Sequence, residues 1–474
     1  MTCLDICSGV IYKSSLNSLS LSVAGAVESL NSVRDRVEIR MANVMDSEVV
    51  QVVESSFVVP SEPTPSEGLW LSPLDLILAN RGHTPTVYLY SSSSNAVAAA
   101  DGFFDVARLK EAMAKTLVAF YPLAGRLGVN NDGRAEITCT GEGALFVVAH
   151  ADLTVGDIED DFRPSPELRR LFVPRIEPAS VVLAIQVTFL KSGGVVLGTA
   201  LHHAAIDASS AFHFFQTWSA LCKHGDRATV ELPCHDRTLL RARSPPTVHP
   251  DALSRFHPKL TFSDPSGPLA FQVFAISKDQ VASLKRLCGG TSTFCAIGAL
   301  VWQCALVARR LPPDSEARLT FPANVRRRVR PPLPSRYFGN ALVRLGATGA
   351  VRDVVSEALA SVAGRIKDAI DRVDDELVRS AVDYYEMTEM DSRPVKGTLA
   401  ETDLQIISWL GMPMYDADFR WGKPAVMSRA ESVRGGFVYL MSDGPTDGGG
   451  GVRVLMCMEA ANMKELERLL YAKL

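Results

Sequence analysis

No CxxC pair occurs among the nine cysteines of this 474-residue chain. Scattered thiols in a chain of that length argue against a zinc site or a disulfide framework and fit a reducing, cytoplasmic setting. A basic field is missing too: the formal net charge is −4 and the pI about 6.2, so nothing is present to hold a nucleic-acid backbone. No uninterrupted apolar run reaches the roughly 18 residues that a membrane span needs. Neither a GxSxG elbow nor a reactive-cysteine motif is found, so a covalent acyl-enzyme is not indicated. HExxH is absent as well, and HHxxxD alone leaves a metal shell short of ligands.

What is present is ordinary globular material, 47% apolar and 22% charged, in a chain too long for one core. Two domains are therefore expected. Residues 1–48 are Ser-rich and weakly periodic, and Asp5 with the SSLNSLS run spoils the basic and apolar regions of a signal peptide. That stretch is expected to be a disordered extension or an over-extended gene model, with Met45 as a start; a transit peptide is the alternative.

Alternation in EVVQVVESSFVVP and TPTVYLYSS predicts strands, and DVARLKEAMAKTLVAFYP predicts a helix ending at its proline. AEITCT, ALFVVAH, VVLAIQVTFL and GVVLGTAL predict further strands, the last two joined by an SGG hairpin. Residues 241–264, rich in proline, arginine and histidine, read as a crossover linker. This divides the chain into a first domain over 49–240 and a second over 265–474. In the second, TSTFCAIGALVWQCALVARRL predicts a buried helix, VRDVVSEALASVAGRIKDAIDRV one long amphipathic helix, and AANMKELERLLYAKL a closing one. ARLTFPANV, TDLQIISWL, GGFVYLMS and GVRVLMCMEA predict its strands.

The chemistry concentrates in LHHAAIDASS, residues 201–210. Two histidines leave an apolar strand together, and Asp207 follows His203 by four positions, near one helical turn. A satisfied core histidine beside a capping aspartate would explain the pair. So would a base: an imidazole near pKa 6.5 takes a proton from a bound nucleophile at neutral pH.

HHAAIDASSAFHFFQTW, together with YDADFRWGKP, resembles the plant BAHD acyl-CoA-dependent acyltransferases, whose signatures are HxxxD and DFGWG. YPLAGRL, LWLSPLDL, HTPTVYLY, TFCAIGALVWQC and RPPLPSRYFGNAL look like family landmarks in family order, covering about residues 49–474. The resemblance implies a two-domain α/β fold of the chloramphenicol-acetyltransferase type, each domain a mixed sheet flanked by helices, with a channel between them. A segment near 400–425 would pack with the first domain. A cytoplasmic monomer is implied, with acyl-CoA as substrate and no cofactor, metal, nucleic acid or membrane.

By the same resemblance His203 is the general base, and Asp207 points away from the channel to pair with an arginine, for which Arg326 is the candidate. Trp409 matches the tryptophan that donates its indole N–H to the oxyanion, although a core tryptophan at a strand end would look the same. Asp418, Trp421 and Gly422 belong to the motif that shapes the fold, but Arg420 stands where glycine is usual.

The segments look most like the hydroxycinnamoyl-CoA transferases, with benzoyl donors among their relatives. Lys285, Arg286 and Arg328 are candidates to meet the CoA phosphates, or simply solvated charge. Shikimate and quinate transferases clamp the acceptor carboxylate with an arginine thirteen positions before a threonine; here those positions are Pro394 and Ile407, with Arg393 one residue off. Loss of the clamp, with Glu386, Glu389 and Asp391 nearby, favours an amine acceptor such as tryptamine, tyramine, putrescine or agmatine over shikimate or quinate. A binding protein that kept the fold without the chemistry, and a carrier-dependent condensation enzyme, are the competing classes.

Overall fold

The computed structural model describes residues 49–91, 102–159, 162–191, 193–388, 397–431, 434–445 and 450–474; the extension expected over 1–48 lies outside them. Val50–Leu474 make one compact unit that holds two six-stranded mixed sheets. The first runs Val50–Val58, Ala144–Ala151, Leu183–Leu190, Val195–His202, His83–Tyr90, Val426–Arg429. All its neighbours are antiparallel except the second and third strands. The second runs Leu269–Ile276, Val452–Glu459, Phe437–Ser442, Asp403–Ser408, Glu316–Asn324, Leu342–Ala350, with Asp403–Ser408 parallel to both its neighbours.

Helices Val106–Ala119 and Ala208–His224 cover the first sheet and share a core with it. The helix Thr293–Arg309 is buried almost all round, as its apolar sequence requires, because Leu359–Asp371 and Ala460–Ala472 pack against it. The central strand Val195–His202 is buried at every position. A Cβ on its Gly198 would meet the carbonyl oxygen of Phe172 at 1.6 Å, so only glycine lets the neighbouring helix end lie against it.

One strand exchange ties the halves together. Val426–Arg429, late in the chain, completes the first sheet by pairing with His83–Tyr90. The segment before it joins the same core through Met414, Phe419 and Trp421, and the Tyr90 hydroxyl donates to Ala417 O at 2.8 Å.

Two sequence expectations need correction. The long helix expected over 351–373 is two helices, Val351–Ser356 and Leu359–Asp371. The buried amide of Gln303 donates to the carbonyls of Val354, Val355 and Glu357 at 2.9–3.3 Å, and those contacts satisfy a helix end where propensity alone would continue. Alternation also fails along Val50–Val58: this is an edge strand with a bulge between Val52 and Glu54, and adjacent Val52 and Val53 are both exposed.

Candidate active site

The central strand ends at His202, and a turn carries His203 to Asp207, which caps the helix Ala208–His224 by accepting from Ser210 N at 3.0 Å. Carbonyls in such a turn have no ladder, so side chains must satisfy them. Asn340 Nδ2 donates to His203 O at 2.9 Å. Arg237 donates to Ala204 O at 3.3 Å and to Ala205 O at 2.6 Å. Both supports rest on Asp75, which is wholly buried. It accepts from Asn340 N and Nδ2 at 2.8 and 2.9 Å, and Arg237 Nη1 lies 3.2 Å from its other oxygen. Sequence reasoning missed this triad, although the Ser72-Pro-Leu-Asp75 capping box inside LWLSPLDL was its available signal.

The structure brings Asp207 and Arg326 together in a buried two-pronged pair of 2.7 and 3.0 Å. Arg326 also donates to Tyr337 O and Gly339 O, and Ala341 N donates to Asp207 at 3.2 Å. The aspartate oxygens are thus occupied by Ser210, Arg326 and Ala341. These hydrogen bonds of Asp207 go to the turn, to Arg326 and to Ala341, none of them to the imidazole, which it reaches only through its charge.

His203 donates its backbone N–H to Gly82 O at 2.9 Å. Its ring Nδ1 is buried without a partner, and the residue lines a cavity. Burial pushes the imidazole down to about 4; the positive charges of Arg81 and Arg429 push the same way, and Asp207 opposes them. The His203 imidazole is therefore neutral and of low basicity, not the ordinary pKa 6.5 imidazole that its sequence suggests. Its neighbour His202 is held down to about 3 by burial, with His83 and His203 adding to the effect, and packs edge-on against His83 at 5.0 Å.

His203 opens onto a cavity of about 360 Å³ to which both sheets contribute. Trp409 and Ile407, from Asp403–Ser408 and its end, line it with His83, Tyr88, Phe212 and Tyr439. Trp409 packs edge-on between Phe212 and Tyr439, at 6.0 and 5.7 Å. Four arginines that the sequence reading did not single out, Arg81, Arg344, Arg429 and Arg434, also line this space. Two of them sit in otherwise apolar strands, VRLGAT and VMSR, and a charge in such a run was the signal available.

The acidic acceptor contacts need correction. Glu386 does not line the cavity; it is exposed at the end of helix Asp375–Met387 and forms a two-pronged pair with Arg134 at 2.9 and 3.0 Å. The helix turns that face outward because its apolar side is buried. Glu389, Asp391, Arg393 and Pro394 lie outside the described residues. Lys285 and Arg286 end the helix Lys278–Leu287, and exposed Arg328 donates to Val373 O at 3.4 Å; none of the three lines the cavity. Among the described residues no group of three His, Cys, Asp or Glu side chains could hold a metal, and no helix is long and apolar enough to cross a membrane.

The second motif sits at the far end of helix Ala208–His224, roughly 20 Å from the His203 turn by helical rise. Asp418 accepts from Arg420 N and Gly422 N at 2.9 and 3.0 Å and pairs with Lys223, while Trp421 stacks on Phe104 at 5.1 Å. Arg420 has φ +96°, a conformation that glycine takes freely and a side chain resists. Arg420→Gly is thus expected to unfold at higher denaturant than Arg420→Ala, by about 1–2 kcal/mol. Equal midpoints would show that the backbone there is unstrained.

Residues 48–472 match the model of the Transferase family. The chain is 42% identical to putrescine hydroxycinnamoyltransferase 1 of Oryza sativa subsp. japonica, over 90% of this chain and 99% of that one. It is 36% identical to a hydroxycinnamoyl-CoA:5-hydroxyanthranilate N-hydroxycinnamoyltransferase of Avena sativa, over 89% and 99%. Among solved structures, vinorine synthase superposes with a TM-score of 0.68 at 23% identity, over 90% of this chain and 98% of that one, a likeness of fold.

Proposed function

Because the chain belongs to the Transferase family of BAHD acyltransferases and is an acyl-CoA-dependent hydroxycinnamoyltransferase, we propose that it acylates an amine nitrogen, with His203 as base. The observation that carries the choice of nitrogen is the 42% identity to a putrescine hydroxycinnamoyltransferase, joined by the likeness to an N-hydroxycinnamoyltransferase; a buried imidazole of low basicity is compatible with it. A neutral amine attacks a thioester with its protons still in place. Only then, as nitrogen becomes cationic in the tetrahedral adduct, does it need to lose one, and a weak base suffices. An alcohol needs its proton removed as it attacks, which asks more of the base.

In this reading the amine lone pair forms the C–N bond at the thioester carbonyl, and the carbonyl electrons move to oxygen. The indole N–H of Trp409 meets that oxyanion, a contact typically worth about 3–4 kcal/mol where charge develops. His203 Nε2 takes the ammonium proton. The oxyanion then collapses, the C–S bond breaks, and imidazolium returns the proton to the leaving CoA thiolate. Asp207 and Arg326, with Asp75, Arg237 and Asn340 behind them, keep the ring in place. Ile407 at the cavity wall supplies no hydroxyl to an alcohol-bearing ring acid, which also supports an amine.

The test is turnover of p-coumaroyl-CoA with putrescine, tyramine, 2-aminobenzoate and shikimate, followed by thiol release and product mass. An amide product from at least one amine, at higher kcat/KM than the shikimate ester, is expected. Ester formation alone would sink the amine assignment.

A further inference from the structure

Charge in the cavity is unbalanced. Arg81, Arg344, Arg429 and Arg434 line it, and among the described residues none of the four is in an ion pair. The acids present are already engaged: Asp207 by Arg326, and Glu431 by Arg169 at 2.8 Å. Arg434 is exposed, but Arg81, Arg344 and Arg429 are partly buried; burying cations without counter-charges is costly, and a ligand that brings the missing charge would offset that cost.

The placement is specific. Arg81 immediately precedes Gly82, whose carbonyl receives the backbone N–H of His203, so this guanidinium is tethered beside the base. Arg344 is anchored by Nη1, which donates to His257 O at 3.3 Å and Pro258 O at 2.9 Å, while its buried Nε has no partner. The edge formed by Nε and Nη2 is the fork that a carboxylate takes with two hydrogen bonds. Arg429, opposite Thr86 in the strand pair, is stacked over the Tyr439 ring at 4.5 Å and also has a buried, partnerless Nε. Mutual repulsion and burial show in Arg81 itself, which is depressed to about 10, first by desolvation and next by Arg344.

We infer that this arginine cluster is an anion subsite for the acceptor, and that the acceptor is an arylamine bearing a carboxylate, not a polyamine. The inference rests on the amine reading above and narrows it. The anion is not a CoA phosphate: with the thioester at His203, the phosphates lie a full pantetheine arm away. Nor does a hydroxycinnamoyl chain carry a charge. An aliphatic diamine arrives as a dication and would be repelled by the guanidinium groups. An arylamine is neutral at neutral pH, needs no prior deprotonation, and leaves its carboxylate to the arginines.

The experiment compares 2-aminobenzoate with 2-aminobenzamide, which differ only in the charge, and with putrescine and shikimate, using p-coumaroyl-CoA. Wild type should favour the carboxylate over the carboxamide by about 10–100-fold in kcat/KM, the usual worth of hydrogen bonds to a charged group. Arg344→Gln and Arg429→Gln should each cut that ratio about tenfold, chiefly through the acceptor KM. Equal use of acid and amide by wild type, or putrescine outrunning 2-aminobenzoate, would overturn the subsite while leaving amine transfer standing; this comparison needs no variant. A rise in acyl-CoA KM with acceptor KM unmoved in Arg344→Gln would also overturn it, by giving the arginines to the donor. If shikimate alone is acylated, and Arg344→Gln raises its KM, the anion subsite holds and the amine reading falls.

Discussion

His203→Ala is expected to lower kcat for thioester aminolysis by about 10²–10⁴-fold, the usual contribution of a positioned base, with both KM values within about twofold. A protein that kept this fold without its chemistry would show no turnover in either form, so wild-type activity with a small alanine effect and the absence of activity altogether are different failures. The pH profile gives a second reading. With its pKa held near 4 by burial, His203 stays neutral across the working range, and kcat with an arylamine should show no acid limb between about pH 5 and 8. A limb centred near the unperturbed value would mean that the imidazole is solvated. The same depression carries a stability consequence of fixed sign. The folded state binds the proton less readily than the unfolded one, so this contribution is complete above the unfolded value of about 6.5 and is lost as pH falls towards 4.

The second large effect concerns the buried pair. Asp207→Ala removes the counter-charge of Arg326 and the cap of helix Ala208–His224 together, and is expected to cost about 3–5 kcal/mol in unfolding free energy. Replacing both members, Asp207→Ala with Arg326→Met, should recover the share of that loss due to the stranded guanidinium, while the lost cap and the Tyr337 and Gly339 carbonyls that Arg326 served keep the rest. Activity separates support from chemistry. If Asp207 is a positioning residue, Asp207→Asn lowers kcat through the mobility of the turn and leaves the shape of the pH profile unchanged. A displaced profile would show that the carboxylate acts on the imidazole, against the four hydrogen bonds that occupy it here.

HHAAID announced both His203 and Asp207, because a titratable pair at the end of an apolar strand is conspicuous in one dimension. Arg326 and Trp409 were reachable through the order of segments, and Ile407 through its offset from Trp409. The acids of YYEMTEMDS were legible as charges but not as partners: Glu386 meets Arg134, 252 positions away, and no local pattern reports that. Asp75, Arg237 and Asn340 were overlooked for the same reason, since their contacts span 265 positions for Asn340 and Asp75 and 137 for Asn340 and the His203 carbonyl.

Alone, the order of residues determined the strand-and-helix alternation, the family signatures and the candidate base, since each depends on periodicity or on neighbours within one helical turn. Only the tertiary structure decided the burial that lowers the His203 imidazole, the break in the helix near Glu357 and the arginines that line the cavity. Desolvation, borrowed hydrogen bonds and summed electrostatic fields are properties of a surrounding volume, and strands far apart in the chain must fold together before that volume exists.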